Sequence, residues 1–205
     1  PSVGNHDVAN PIADATELPS GPPYYTGSIN AIRPGYLDYF HFDPGNVNGR
    51  LPAGHHELSR TYYDFRWGDA HLFALDSDSA FFDPESAEEQ ANWLQAKMGE
   101  SDAAWKFVYF HHPPYSSGSH GDQEHMQWPF AEWGASAILT GHDHTFERIL
   151  RNGLPYFVNG LGAQVEYGFF NITEGSVVRY NENHGAMRVT LDQTQADTRA
   201  QVTAR

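Results

Sequence analysis

The architecture of this chain follows from residues 135–148: Ala135-Ser136-Ala137-Ile138-Leu139-Thr140-Gly141-His142-Asp143-His144-Thr145-Phe146-Glu147-Arg148. The apolar run Ala137 to Leu139 predicts a short buried strand that ends at a glycine. Gly141 is expected to let the backbone turn sharply, because glycine carries no side chain. His142 and His144 are two residues apart, so in an extended segment both imidazoles would leave the same side of the chain. Because neutral imidazoles are common metal ligands, the pair predicts a metal site.

Composition limits the classes of protein to which the chain can belong. Its 205 residues are 40% hydrophobic, which predicts a single domain, residues 1–205, with a substantial core. The absence of cysteine excludes disulfides and zinc-thiolate sites, so any metal must be bound by His, Asp, Asn or Glu. The chain contains no long apolar run that would predict a membrane-spanning helix. A formal net charge of -14 argues against a nucleic-acid polymer as partner, but not against a small phosphate ester at a metal.

Hydrophobic periodicity predicts a mixture of strands and helices. Residues 61–67 and 70–76 flank a Gly68-Asp69 turn and predict a β-hairpin. Ser86 and Glu89 form a capping-box pattern that predicts a helix ending at Gly99. Further segments complete the pattern: a strand at 105–110, a short helical piece at 129–133, and turns at 152–153 and 174–175 before a last strand at 186–191.

Polar, metal-capable residues follow predicted strands at three places. Asn5-His6 lies near the start of the chain, His111 follows the strand 105–110, and His142 follows the strand 137–139. Strand ends in α/β sheets are where functional sites assemble, since loops can converge there on a rigid sheet. We therefore expect these residues to meet at one edge of a sheet.

In their order along the chain, these motifs resemble the calcineurin-like metallophosphoesterase superfamily. The motifs are Gly4-Asn5-His6-Asp7, His111 at a strand end, and Gly141-His142-Asp143-His144. Residues 110–118, Phe-His-His-Pro-Pro-Tyr-Ser-Ser-Gly, are most similar to the purple-acid-phosphatase-like branch. The resemblance implies an α/β fold, an αββα sandwich of two mixed sheets flanked by helices.

The resemblance also implies a function: hydrolysis of phosphate esters, phosphomonoesters first, by a dinuclear metal site with a metal-activated water or hydroxide. Asn5, His111 and His142 would bind one transition-metal ion, and His144 would contribute to the other. Zinc, iron and manganese are the expected metals. His6 would lie beside the scissile phosphate, and His120, in a glycine- and serine-rich loop expected to be flexible, would contact the phosphate or the leaving group.

The family pattern includes an upstream half, with most ligands of one metal, that does not occur in these residues. The sequence is therefore interpreted as incomplete at its N-terminus, with a separate upstream fragment as one conceivable partner. A phosphodiesterase or nucleotidase and a non-catalytic metal-binding fragment are the alternatives. The resemblance suggests a secreted or periplasmic location. His112 is interpreted as packing against the prolines or touching substrate, and His71 as a surface or packing residue.

Overall fold

The computed structural model describes residues 62–163, 167–191 and 201–204. Within them a seven-stranded mixed sheet has the order β1-β2-β3-β4-β6-β5-β7, and a second pair of strands, β8 and β9, is antiparallel. The strands are β1 Tyr63–Trp67, β2 Ala70–Ala74, β3 Trp105–Tyr109, β4 Ala137–Thr140, β5 Phe146–Arg151, β6 Leu154–Asn159, β7 Ser176–Tyr180, β8 Met187–Thr190 and β9 Gln201–Ala204. The helices are α1 Ser77–Phe82 and α2 Pro84–Glu100, with a 3-10 turn at Glu124–Met126.

Apolar side chains cover both faces of the large sheet. One cluster includes Leu94 and Met98 of α2 together with Val108 and Ile138 of the central strands. The other contains Phe107 and Ala137, and Met187, Val189 and Leu191 from the β8 segment pack against it. A helix therefore covers one face and the second sheet covers the other, which confirms the predicted α/β fold with layered sheets.

The central strands β2, β3, β4 and β6 are parallel to one another. β1 pairs with β2 through the predicted hairpin, whose turn residue Gly68 has a φ of +55°. A second hairpin joins β5 to β6 through Asn152 and Gly153, at φ values of 50° and 78°. Because both turn residues need positive φ, this Asn-Gly pair is the expected type of hairpin connection. The parallel order places the carboxyl ends of β3 and β4 side by side.

Two local predictions differ from the structure. Helix α2 begins at Pro84 with Asp83 as its N-cap, because the Asp83 side chain accepts a hydrogen bond from the backbone N–H of Glu85 at 3.0 Å. The predicted capping box at Ser86 was wrong, and Gly99 lies inside the helix. Residues 130–134 form turns instead of the predicted helical piece at 129–133.

His71 lies far from the sheet end described below and has a structural role. Its ring is buried against Phe73, with 4.1 Å between ring centroids. Its two nitrogens lie 2.7 Å from Asp64 Oδ2 and 2.8 Å from Ser101 Oγ. The prediction that His71 is a surface or packing residue is confirmed as packing.

Candidate metal centre

The carboxyl ends of β3 and β4 bring two predicted ligands together. The strands pair in parallel, with Tyr109 opposite Leu139. Beyond them, the backbone N–H of Gly141 donates to the carbonyl of His111 at 3.1 Å. The two segments therefore leave the sheet in register, and Nδ1 of His142 lies 3.0 Å from Nε2 of His111.

His112 joins the same cluster. His111, His112 and His142 each offer a ring nitrogen, and these atoms lie within 4.8 Å of one another. The ring centroids of His112 and His142 are 4.5 Å apart. His112 is buried, and its backbone N–H donates to Ser77 Oγ at 3.0 Å while its Nδ1 lies 2.9 Å from the same oxygen. This leaves Nε2 of His112 as the ring nitrogen that can face a metal.

Burial favours the neutral form of two of these imidazoles, His142 and His112. It lowers the pKa of His142 to about 3, with the neighbouring His120 and His111 adding to the effect. Burial likewise lowers the pKa of His112 to about 2, helped by His142 and His111. The neutral ring is the form that binds metals, so protons compete weakly with a metal for these nitrogens.

The donor set of this cluster fits a transition-metal ion. Zinc binds imidazole nitrogen at about 2.0–2.1 Å in tetrahedral sites, which implies roughly 3.3 Å between neighbouring ligand nitrogens. The observed 3.0 Å between His142 Nδ1 and His111 Nε2 is close to that spacing. Imidazole suits zinc, copper, iron and nickel, so the ligands do not select one metal.

The backbone between His142 and His144 is not extended. His142 has a φ of 64°, in the left-handed region that non-glycine residues rarely occupy. Successive short bonds, from Asp143 N to Gly141 O and from Thr145 N to Asp143 O, both 2.8 Å, fold the segment tightly. The expectation that Gly141 takes the sharp turn was wrong, since Gly141 is not among the positive-φ residues.

The two imidazoles of this motif consequently face different neighbours. The ring of His142 meets His111, whereas the ring of His144 stacks on Tyr167 with centroids 4.0 Å apart and planes at 17°. The expectation that both leave the same side of an extended chain was wrong, because the turn at His142 rotates the chain between them. His144 is not part of the three-imidazole cluster.

Asp143 holds His120 beside this cluster. Nδ1 of His120 lies 2.9 Å from Oδ1 of Asp143, and the His120 backbone N–H donates to the same oxygen at 3.0 Å. Asp143 is fully buried and also accepts a bond from Ser116 Oγ at 2.5 Å. The His120 ring lies 4.0 Å from the His142 ring. With Nδ1 bonded to the carboxylate, Nε2 is the atom that His120 can turn toward a ligand.

A second buried carboxylate anchors the same loop. Glu147 accepts bonds from the Ser117 backbone N–H at 2.7 Å and from Ser117 Oγ at 2.5 Å, and also from Ser176 Oγ. A Cβ on Gly118 would lie 2.6 Å from each carboxylate oxygen of Asp143, so only glycine fits there. The loop that we expected to be flexible is anchored at two buried carboxylates, Asp143 and Glu147.

Sequence reasoning missed Asp143 as a member of the site, and it interpreted His112 as packing against the prolines or touching substrate and not as a possible metal ligand. Two consecutive histidines after a strand were the available indication for His112, but strict alternation would have placed its ring on the opposite side of the chain. Asn5 and His6, predicted as a metal ligand and a catalytic residue, lie outside the described residues.

Within the described ranges, no helix has both the length and the apolar character needed to cross a membrane.

Residues 1–146 match the family model described as calcineurin-like phosphoesterase. An acid phosphatase from Aspergillus ficuum is 38% identical over 68 residues, which are 30% of this chain and 11% of that protein. Purple acid phosphatase 18 from Arabidopsis thaliana is 30% identical over 102 residues, 45% of this chain and 23% of that protein. The matches thus span less than a quarter of the length of these two relatives.

One solved structure is similar over most of the chain. The purple acid phosphatase PPD1 from yellow lupin (Lupinus luteus) seeds aligns with a TM-score of 0.63 at 17% identity. The alignment covers 92% of this chain and 35% of the lupin chain. At this identity the likeness establishes the shared α/β fold.

Proposed function

This chain belongs to the calcineurin-like phosphoesterase family, and we propose that it hydrolyses phosphate esters at a dinuclear metal centre, with phosphomonoesters as its main substrates. The observation that carries the proposal is the 3.0 Å approach of His142 Nδ1 to His111 Nε2 at the ends of adjacent parallel strands. Half-buried imidazoles brought together in this way are suited to binding a metal.

His111 and His142 would hold one metal ion, with Asn5 as the further ligand that the family resemblance implies. His112 is an additional candidate, because its ring nitrogen lies within 4.8 Å of the other two. His144 would contribute to the second ion. A bound pair of zinc, iron or manganese ions supplies Lewis acidity toward the phosphate oxygens and a nucleophilic water at neutral pH.

The chain's own residues would orient the ester and move the proton. His120 would hold a proton at Nε2 and give it to the leaving oxygen, since Asp143 fixes its other nitrogen. His6 would lie beside the scissile phosphate. The buried carboxylates Asp143 and Glu147 would keep the His120 loop in place during turnover.

A direct assay tests the proposal. The chain would be supplied with Zn²⁺, Mn²⁺ or Fe²⁺, its metal content measured by mass spectrometry, and hydrolysis followed with p-nitrophenyl phosphate and bis-p-nitrophenyl phosphate. We expect about two ions per active particle and faster cleavage of the monoester. A faster diester reaction would favour a phosphodiesterase, and one ion without hydrolysis would favour a non-catalytic metal-binding protein.

A non-catalytic metal-binding protein is the alternative that the same assay separates from an enzyme. A separate upstream polypeptide is the partner that the family resemblance implies; if it adds ligands, co-expression with the upstream half of a related phosphatase should raise both metal content and activity. Secretion or periplasmic export is a further prediction of the family resemblance. Fractionation of the producing cells checks it.

A further inference from the structure

A cavity of about 480 Å³ opens beside His120. One wall is the loop from Ser116 to Asp122, the other is the segment from Phe170 to Glu174, and Arg151 lies between them. This volume is in the range of pockets that bind small molecules, which is about 300–1,000 Å³. His120 lines the cavity, and its ring centroid also lies 4.0 Å from that of His142, so it connects the candidate metal centre with the cavity.

The charged side chains of the cavity have hydrogen-bond partners within the chain. Arg151 donates from Nη1 to Glu174 at 2.8 Å, and its guanidinium lies 4.5 Å from the centre of the Tyr115 ring. Asp122 accepts from the Ser116 backbone N–H at 2.8 Å and from Thr173 Oγ1 at 3.3 Å. The lining thus holds two carboxylates, Asp122 and Glu174, and one guanidinium, Arg151, so its formal charge does not favour a second anionic group.

Its apolar groups, in contrast, are open. Phe170 is 68% exposed and Ile172 is 54% exposed. The Phe170 backbone N–H donates to Ser117 O at 2.9 Å, and its ring lies over Gly168, where an added Cβ would be 3.5 Å from Cζ. The backbone hydrogen bond and the packing against Gly168 fix the position of the ring. Most of the surface of Phe170 nevertheless remains exposed. A large apolar side chain exposed in a concave site is typical of a ligand contact.

We propose that this cavity binds the leaving group of the substrate and that this group is aromatic. The inference rests on the proposed function, because it takes the phosphate to lie at the metal centre on the other side of His120. Phe170 and Ile172 would contact the ring of an aryl phosphate. The charges around them give no reason for a second anionic group to bind there.

The position of His120 is consistent with the bond changes of such a reaction. The oxygen of a water molecule forms a new bond to phosphorus, and the bond from phosphorus to the aryl oxygen breaks with its electron pair on that oxygen. His120 supplies the proton that makes the neutral phenol, and the proton lost by the water restores His120. The phenol is then released from the cavity into solvent.

Binding and kinetics test the cavity independently of each other. With the Zn²⁺-loaded chain, calorimetry would compare 1-naphthylphosphonate, which is not hydrolysed, with methylphosphonate, which lacks the ring. We expect the naphthyl compound to bind about tenfold more tightly, and Phe170→Ala and Ile172→Ala to remove most of that preference. Val177→Ala and Trp67→Ala are matched controls, because Val177 is 53% and Trp67 is 79% exposed at other places; both should keep the preference.

Steady-state kinetics would then compare 1-naphthyl phosphate with glycerol phosphate. Phe170→Ala should lower kcat/KM for the naphthyl ester by about tenfold and leave the glycerol ester within about twofold. Equal binding of the two phosphonates, or equal losses for the two esters, would overturn the cavity inference. A naphthyl preference that depends on Phe170 in a chain without hydrolytic activity would keep the cavity and overturn the proposed function instead.

Discussion

Nδ1 of His120 lies 2.9 Å from Oδ1 of Asp143, a carboxylate with no exposed surface. The two residues are 23 positions apart, and Asp143 stands between the two histidines of the motif. This contact joins the loop that carries the proposed proton donor to the segment that carries a proposed metal ligand.

Asp143→Asn is predicted to release His120. An amide presents one acceptor oxygen and a donor NH₂ to a group of partners that all donate, so the bonds from Ser116 and His120 cannot all remain. We expect a loss of about 1–3 kcal/mol in the free energy of unfolding. Denaturant unfolding measures the loss, and nitrogen NMR of the His120 ring measures its tautomer. A variant in which Nδ1 still carries the proton as in the parent would contradict the positioning role.

Gly118→Ala is predicted to displace the same loop. The new Cβ would lie 2.6 Å from both carboxylate oxygens of Asp143, far inside van der Waals contact. Overpacking of this kind costs about 1–3 kcal/mol, and thermal unfolding would report it. Gly99→Ala is the control, because nothing lies within 4 Å of its Cβ position and it sits inside α2. That variant should gain about 0.5–1 kcal/mol.

Metal affinity is predicted to depend on all three clustered histidines. Replacing any one of them with alanine should weaken zinc binding by at least about 10–100-fold, because losing even a residue that only hydrogen-bonds to a ligand costs that much. The variants are His111→Ala, His112→Ala and His142→Ala. Calorimetric zinc titration gives the affinities. His184→Ala, an exposed histidine outside the cluster, should bind zinc like the parent. If His112→Ala also binds like the parent, His112 is a neighbour of the site and not a ligand.

Stability without metal is predicted to fall in acid because of His142. Its pKa is lowered by burial from 6.5 to about 3 in the folded chain, so the unfolded chain binds more protons between these values. The contribution is complete above pH 6.5 and is lost as pH falls toward about 3. Urea unfolding from pH 7 to pH 4 should show a shallower decline for His142→Gln than for the parent. Identical slopes would mean that His142 is not held neutral by the fold.

His120→Ala is predicted to lower activity without removing metal. If His120 protonates the leaving oxygen, the rate on alkyl phosphates should fall by about 10²–10⁴, the usual worth of general acid catalysis. Aryl phosphates should lose less, since a phenolate departs more readily without a proton. Equal losses for both classes would make His120 a phosphate-binding residue, and loss of metal would make it a ligand.

The sequence alone predicted several of the strands and turns of the molecule. Apolar runs such as Ala137 to Leu139 end in polar residues, and that local pattern predicted buried strands with site residues at their ends. The turns at Gly68 and Asn152-Gly153 were also predictable from the sequence, because a positive φ favours these residue types. The start of α2 was predicted wrongly because Asp83 and Ser86 can both act as helix N-caps, and the sequence does not show which of them does.

Only the tertiary structure decided which side chains meet. His111 and His142 contact each other because β3 and β4 are parallel neighbours, and His112 joins them because the chain bends after β3. The left-handed backbone at His142 turns His144 toward Tyr167, against the alternation that a strand would impose. Such contacts join residues far apart in the chain through burial and hydrogen bonding. A local pattern of residue types placed His111 and His142 at strand ends, but it does not specify which strands are neighbours or how each side chain is turned.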